Sequence, residues 1–196
     1  MAGCPVDTEL RGMIRRRRQR MGVGAQHRAA RALAKKVCAL IEYQAASRIA
    51  LYLASDGEID CRFIMKDAWR TGKQCFLPVL KTENPKAHQM DFMRFNPGSP
   101  LGFNRYGILE PKNGAKIAAQ ALDLVIVPLV GFDRDGHRIG MGGGYYDRAF
   151  EFTHKQNVDI HFRQLPVLMG VAHHVQEVLS IRPRPWDVPL NSVVSV

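Results

Sequence analysis

Leu122-Asp-Leu-Val-Ile-Val-Pro-Leu-Val130 is followed, eight residues on, by Arg138-Ile-Gly-Met-Gly-Gly-Gly-Tyr-Tyr-Asp-Arg148. The first stretch is a near-continuous apolar run, the pattern of a strand buried on both faces. The second strips the side chains from one short loop at Gly140, Gly142, Gly143 and Gly144, and a helix opens from about Tyr145. Bare backbone there lets successive N–H groups approach anionic oxygens, and the helix start adds a positive end. Arg138 and Arg148 flank the loop as charge donors. The stretch reads as a phosphate cradle beyond the carboxyl end of a strand, where open α/β sheets bind ligands. It is neither GxxxxGK[ST] nor GxGxxG, and a tight turn with no ligand stays open as an alternative. Asp147 narrows the choice. A carboxylate beside phosphates repels them unless a cation such as Mg²⁺ stands between, although it also suits the first turn of a helix.

Working outward, short apolar runs at Arg48–Ala54, Gln74–Leu80, Met90–Phe95, Leu165–Val171 and Ser192–Val194 read as strands. Helical spacing covers 7–21, 25–44 and Cys61–Arg70. Residues 81–89 and 96–116, rich in Pro, Gly, Asn and Lys, read as long loops. Alternating strands and helices predict one three-layer α/β domain over 1–196. Its sheet is mostly parallel, flanked by helices and Rossmann-like, with a basic helical N-terminal part over 1–44.

The 196 residues are 46% hydrophobic and 23% charged, ordinary globular usage. No apolar run approaches the ~20 residues of a membrane helix, and no apolar segment follows the early charges as in a secretory signal. A cytoplasmic location is therefore expected, and no membrane partner. Cys4, Cys38, Cys61 and Cys75 have no CxxC spacing and are expected as free thiols. His173-His174 lacks partners at metal-ligand spacing. The net charge of +10 is uneven: residues 1–36 hold ten Lys/Arg and two acids. A basic end suits nucleic acid, a membrane surface or an anionic small molecule. The run Arg15–Arg18 wraps around its helix and is expected to be mainly a solvated face.

Arg138–Arg148, preceded by Pro128-Leu-Val-Gly-Phe-Asp133 and Gly136, closely resembles the signature of the 5-formyltetrahydrofolate cyclo-ligase (5,10-methenyltetrahydrofolate synthetase) family. Other segments agree in order: Tyr52-Leu53 with Gly57-Glu58-Ile59-Asp60, Gly72-Lys73 with Leu77-Pro78, Tyr106-Gly-Ile-Leu-Glu-Pro111, and Trp186-Asp187-Val-Pro-Leu190. The resemblance spans about Leu10 to Val194. It implies ATP-dependent, Mg²⁺-assisted closure of 5-formyltetrahydrofolate to 5,10-methenyltetrahydrofolate through a phosphorylated formyl group.

Residue by residue, the resemblance implies ATP contacts from Arg11, Arg138, Gly140, Met141, Gly142, Gly143, Gly144, Tyr145 and Tyr146. It implies a catalytic set of Arg138, Tyr146 and Arg148, with Mg²⁺ on Asp147 and Asp187. Leu53, Glu58, Met141 and Tyr145 would meet the folate, with Tyr52 and Tyr106 as aromatic walls or ordinary core. The family commonly has a base where this chain has Asp7, a reversal that either is offset by a neighbour such as Arg15 or weakens ATP binding. The implied partners are small molecules only, reduced folate and ATP, acting on a monomer. Two other readings stay open: a nucleic-acid-binding protein using the Arg-rich start, which leaves the glycine loop unexplained, and a noncatalytic relative of the ligase.

Overall fold

The structure, a computed structural model, describes residues 5–81, 84, 87–154 and 165–196, with side chains from residue 8 onward. Cys4 lies outside the described residues, as does the side chain of Asp7.

In chain order the elements are α1 (Pro5–Gln19), α2 (Val23–Cys38), α3 (Ile41–Ala45), β1 (Arg48–Ala50), α4 (Arg62–Arg70), β2 (Gln74–Leu80) and β3 (Met90–Arg94). Then come β4 (Leu101–Phe103), β5 (Leu109–Pro111), β6 (Lys116–Ile117), β7 (Leu124–Pro128), β8 (Gly131–Phe132) and β9 (Arg138–Ile139). The chain ends with α5 (Tyr145–Ala149), β10 (Val167–Ala172) and β11 (Ser192–Ser195).

A seven-stranded sheet runs β11-β10-β7-β1-β2-β3-β6. The first five strands are mutually parallel, and β3 and β6 join antiparallel. The buried strands alternate their side chains between two cores, as a period of two requires. Ile49, Leu51, Cys75, Leu77, Leu124, Ile126, Met169 and Val171 meet Leu33, Val37, Tyr43 and Ile64 from α2–α4 on one face. Ala50, Phe76, Val125, Val127 and Leu168 meet Phe150 and Val188 on the other. Ile14 of α1 packs apart from both, against Val130, Ile139 and Ile181.

Three expectations need correction. The helix expected over 25–44 is two helices, because Leu40 is extended (φ −75°, ψ 146°) and swings Tyr43 into the core, its hydroxyl donating to Asp67 at 2.7 Å. The segment 96–116 is not all loop. It holds the hairpin β4–β5 and the strand β6, too short and too rich in Gly and Pro to announce themselves by alternation. The glycine loop does not follow the apolar strand directly either, because the hairpin β8–β9 intervenes.

The strand order fixes where a ligand can go. From β1 the chain moves to β2 on one side, whereas β7 lies on the other and leads to β10. The crevice at the carboxyl ends of β1 and β7 is thus the topological switch point of the sheet. The turn after β1 carries Glu58, and the hairpin after β7 leads into the glycine loop.

Candidate functional site

The acidic turn is built around two left-handed residues, Asp56 (φ 52°) and Gly57 (φ 74°). Asp56 accepts from Arg15 Nε at 2.7 Å and Arg18 Nη2 at 2.8 Å, and also from Gln19. Burial alone would raise its carboxyl, but these hydrogen bonds outweigh it and hold the pKa down at about 2. Glu58 behaves oppositely. Burial pushes it up, against the opposing pull of the Ser55 N–H, Arg18 and the Ser55 hydroxyl. Its Oε2 accepts from Ser55 N at 3.0 Å, and its Oε1 lies 3.9 Å from Arg18 Nη2. Tyr52 is buried, with its hydroxyl donating to the Ile59 carbonyl at 2.7 Å, so it stands in the core behind the turn and not as an open wall. Leu53 is half-buried against the same core.

On the opposite side of the crevice, Arg11 Nε donates to the Gly140 carbonyl at 2.9 Å, tying α1 to the glycine loop. A cavity of about 490 Å³ opens between them, lined by Thr8, Arg11, Arg15, Met141, Gly142 and Arg184. Three arginines line it among the described residues, which suits a polyanion. Arg184 was not singled out in the sequence, where it sits among prolines in Arg182-Pro-Arg-Pro-Trp186 with no motif of its own. The loop ends in left-handed Gly144, and α5 then runs only five residues. The helix-end contribution expected from the sequence is correspondingly small, and the positive charge comes from arginines.

Arg138 turns inward. It donates to the Asp147 carboxylate and to the Val188 carbonyl, and little of its side chain is exposed. Arg148 Nη1 donates to the Gly143 carbonyl at 2.7 Å from an exposed position. Tyr145 meets Tyr106 edge-on, with hydroxyls 3.0 Å apart, and Arg105 Nη2 donates to its oxygen. Tyr106 is half exposed, as a wall residue would be. The Tyr146 hydroxyl is raised by burial and by the charges of Glu58 and Cys61, with Arg138 pulling the other way; its ring stacks on Phe150. Tyr146 thus lies in the first turn of α5, directly after the glycine loop.

Asp147 and Asp187 approach through Val188, whose N–H donates to Asp147 Oδ1 at 3.2 Å. Asp187 Oδ2 accepts from Arg184 N at 2.8 Å. Each aspartate thus keeps one carboxylate oxygen without a partner among the described residues, the kind of donor a hard divalent cation takes. The one cluster of three possible metal ligands among the described residues, Asp133, Asp135 and His137, is a hairpin brace. Asp133 there accepts from the N–H groups of Asp135, His137 and Ile181.

The reading of Arg15–Arg18 as a solvated face fails for two of its four members. Arg18 has no exposed surface, and Arg15 is bound to Asp56. Cys61 and Cys75 are buried, free and pushed up by burial, the latter to about 12, as inert core thiols are. No helix among the described residues is long and apolar enough to cross a membrane.

The profile of the 5-formyltetrahydrofolate cyclo-ligase family matches residues 4–196. The chain is 35% identical to the Haemophilus influenzae 5-formyltetrahydrofolate cyclo-ligase over 188 residues, 95% of each protein. It is 36% identical to the Escherichia coli K12 enzyme of the same name, covering 93% of this chain and 96% of that one. The solved structure of Aquifex aeolicus 5,10-methenyltetrahydrofolate synthetase superposes with a TM-score of 0.78 at 27% identity, over 97% of this chain and 89% of that one. These matches run through the acidic turn, the glycine loop and the Trp186-Asp187 segment alike: the chain belongs to the 5-formyltetrahydrofolate cyclo-ligase family and is an enzyme of the ligase class.

Proposed function

We propose that this enzyme uses ATP to close 5-formyltetrahydrofolate to 5,10-methenyltetrahydrofolate, releasing ADP and phosphate. The observation that carries the reading is the meeting, at one switch point, of a buried carboxylate turn with an arginine-lined cavity beneath a bare glycine loop. A carboxylate pairs with the amino and ring N–H groups of a pterin, and arginines and backbone amides hold a triphosphate.

A formamide carbon is a poor electrophile and its oxygen a poor leaving group. Attack of the formyl oxygen on the γ-phosphorus displaces ADP and turns that oxygen into a phosphate leaving group. N10 of the same molecule then adds to the carbon, and the C–O bond breaks to release phosphate, which takes up the N10 proton; intramolecular positioning of this kind is worth roughly 10⁵ M or more in effective concentration. Phosphoryl transfer itself needs alignment and charge neutralisation above all. Arg11, Arg15 and the Gly140–Gly144 backbone hold the phosphates, with Arg138, Tyr146 and Arg148 bordering the transfer. Glu58, with Leu53, Met141, Tyr145 and Tyr106, orients the folate, and the phenol rings exclude water. Asp147 and Asp187 would hold Mg²⁺, which neutralises phosphate charge. Arg138, now on Asp147, is within reach of that same charge. A monomer in the cytoplasm belongs to the same reading.

Incubation with 5-formyltetrahydrofolate and Mg-ATP tests it. Methenyl-folate absorbance should grow only when both are present, with one ADP per product. Growth without ATP, or none with it, rejects the reading. Internal use of Arg18 removes one base of the run from the surface and weakens the nucleic-acid alternative, which predicts salt-sensitive polyanion binding instead.

A further inference from the structure

Arg18 is the only arginine of the described residues with no exposed surface, and its guanidinium reaches two other parts of the molecule at once. Nε donates to the Asp56 carbonyl at 2.9 Å, Nη2 to Asp56 Oδ2 at 2.8 Å, and Nη1 to the Leu129 carbonyl at 3.3 Å at the end of β7. The same Nη2 lies 3.9 Å from Glu58 Oε1. The turn is also moulded onto the arginine's own backbone. A Cβ on Gly57 would stand 3.3 Å from the Arg18 carbonyl oxygen and 3.4 Å from its Cγ, at a φ of +74° that already favours glycine. One buried cation thus ties α1, the turn after β1 and the end of β7 around the crevice. The two flanking arginines of its helix face, Arg11 and Arg15, look into the nucleotide-side cavity.

We propose that Arg18 is the positioning residue for Glu58: it fixes the turn so that this carboxylate is presented to the folate, and it makes the helix bearing the nucleotide-side arginines also set the folate-side acid. The assignment rests on the proposed function. A buried cation is a costly way to pin a helix, because burying the charge must be repaid by well-made hydrogen bonds. An apolar side chain would pin α1 as well, as Ile14 already does. What an apolar side chain cannot do is face two carboxylates at once and keep the turn between them closed.

The test compares Arg18→Lys with Arg17→Met, a substitution on an exposed neighbour outside the site. Because Arg18→Lys could lose the fold, Arg18→Met/Asp56→Asn is made alongside, which leaves neither an unpaired buried cation nor its main carboxylate partner. Calorimetry measures 5-formyltetrahydrofolate alone, then a nonhydrolysable ATP analogue with Mg²⁺ alone. Circular dichroism reports the fold, and the pH profile of folate affinity is recorded against Glu58→Gln. That profile is set by Glu58 together with the groups facing it, Arg15, Arg18, Asp56, Tyr52, Cys61 and Tyr146. Folded Arg18 variants should bind the folate at least tenfold more weakly and the nucleotide within about twofold of wild type. The acid limb of the folate profile should persist in the Arg18 variants, and Glu58→Gln should abolish it. Arg17→Met should match wild type throughout. Unchanged folate affinity in a folded Arg18 variant, or equal losses for both ligands, overturns the assignment. Folate binding without turnover in the wild type would instead count against the proposed reaction and leave the Arg18 comparison readable.

Discussion

Arg11 on the first helix and Gly140 at the head of the glycine loop are joined by a hydrogen bond of 2.9 Å across 129 positions of sequence. The bond makes α1 a wall of the cavity and not an appendage. Arg11→Ala should therefore raise the ATP KM by roughly ten- to a hundredfold, the scale of a lost charge-assisted hydrogen bond of ~1.5–3 kcal/mol. The folate KM should change little. Steady-state kinetics with each substrate varied in turn checks this. An unaltered ATP KM in a folded variant would detach α1 from the nucleotide site.

The strand at Gln74–Leu80 and the paired aspect of the glycine loop were legible because their signals are local: an apolar run in one case, a cluster of missing side chains in the other. The fate of the arginine run was not. Arg15 to Arg18 differ only by their angle around α1, and which of them goes inside depends on where the Asp56 turn lies, 38 residues away from Arg18. Arg184 was invisible for the same reason, since only tertiary contact brings it to the cavity. The hairpins β4–β5 and β8–β9 use strands of two or three residues, below the length at which alternation carries information. The family resemblance supplied Glu58, whose sequence environment alone reads as a solvated turn.

Asp56 and pH should be linked in stability. Its pKa falls from an ordinary 3.8 to about 2 in the folded state, so the folded protein holds its charged form more tightly. The stabilisation is present above pH 3.8 and is lost as pH falls toward 2. It amounts to about 2 kcal/mol. Asp56→Asn should lower the urea midpoint at pH 7, and the gap to wild type should close on acidification over that window. A gap independent of pH would mean that the carboxylate charge is not what holds the turn.

Glu58 should govern the folate and not the nucleotide. Burial raises its pKa, so on acidification its charged form is lost at a higher pH than that of an exposed glutamate. Folate affinity should accordingly fall on acidification earlier than an exposed glutamate would dictate. Glu58→Gln should weaken folate binding by about 1–3 kcal/mol and leave ATP binding nearly unchanged. Calorimetry from pH 4 to pH 8 reads both effects, and a matching loss of ATP affinity would contradict the assignment.

Two glycines of the loop should fail for different reasons. Gly142 has φ +93°, so Gly142→Ala strains the backbone by roughly 1–2 kcal/mol where the loop meets Arg11. Gly143 has no such angle, but its Cβ would stand 2.9 Å from the Tyr145 ring. Gly143→Val should displace that ring from Tyr106 and cost affinity for both substrates. Gly142→Ala should cost ATP affinity alone. Equal and negligible effects of both would reduce the loop to a turn.

The pairing of Arg138 with Asp147 sets up the last expectation. The aspartate's charge is shared between the guanidinium and the Val188 N–H, leaving one oxygen for a cation. Asp147→Asn removes half of the proposed Mg²⁺ carboxylate pair and also releases Arg138, whose side chain is nearly buried. A hard divalent cation loses affinity when a charged oxygen becomes an amide, so the Mg²⁺ concentration for half-maximal turnover should rise by tenfold or more. Arg138→Met separates the two consequences: it frees Asp147 without touching the metal ligands. Its Mg²⁺ requirement should stay the same or fall, while turnover drops. Titration of MgCl₂ at saturating ATP and folate distinguishes them. If Asp147→Asn and Arg138→Met show the same Mg²⁺ curve, the aspartate serves only to hold the arginine, and the cation must be bound by other groups.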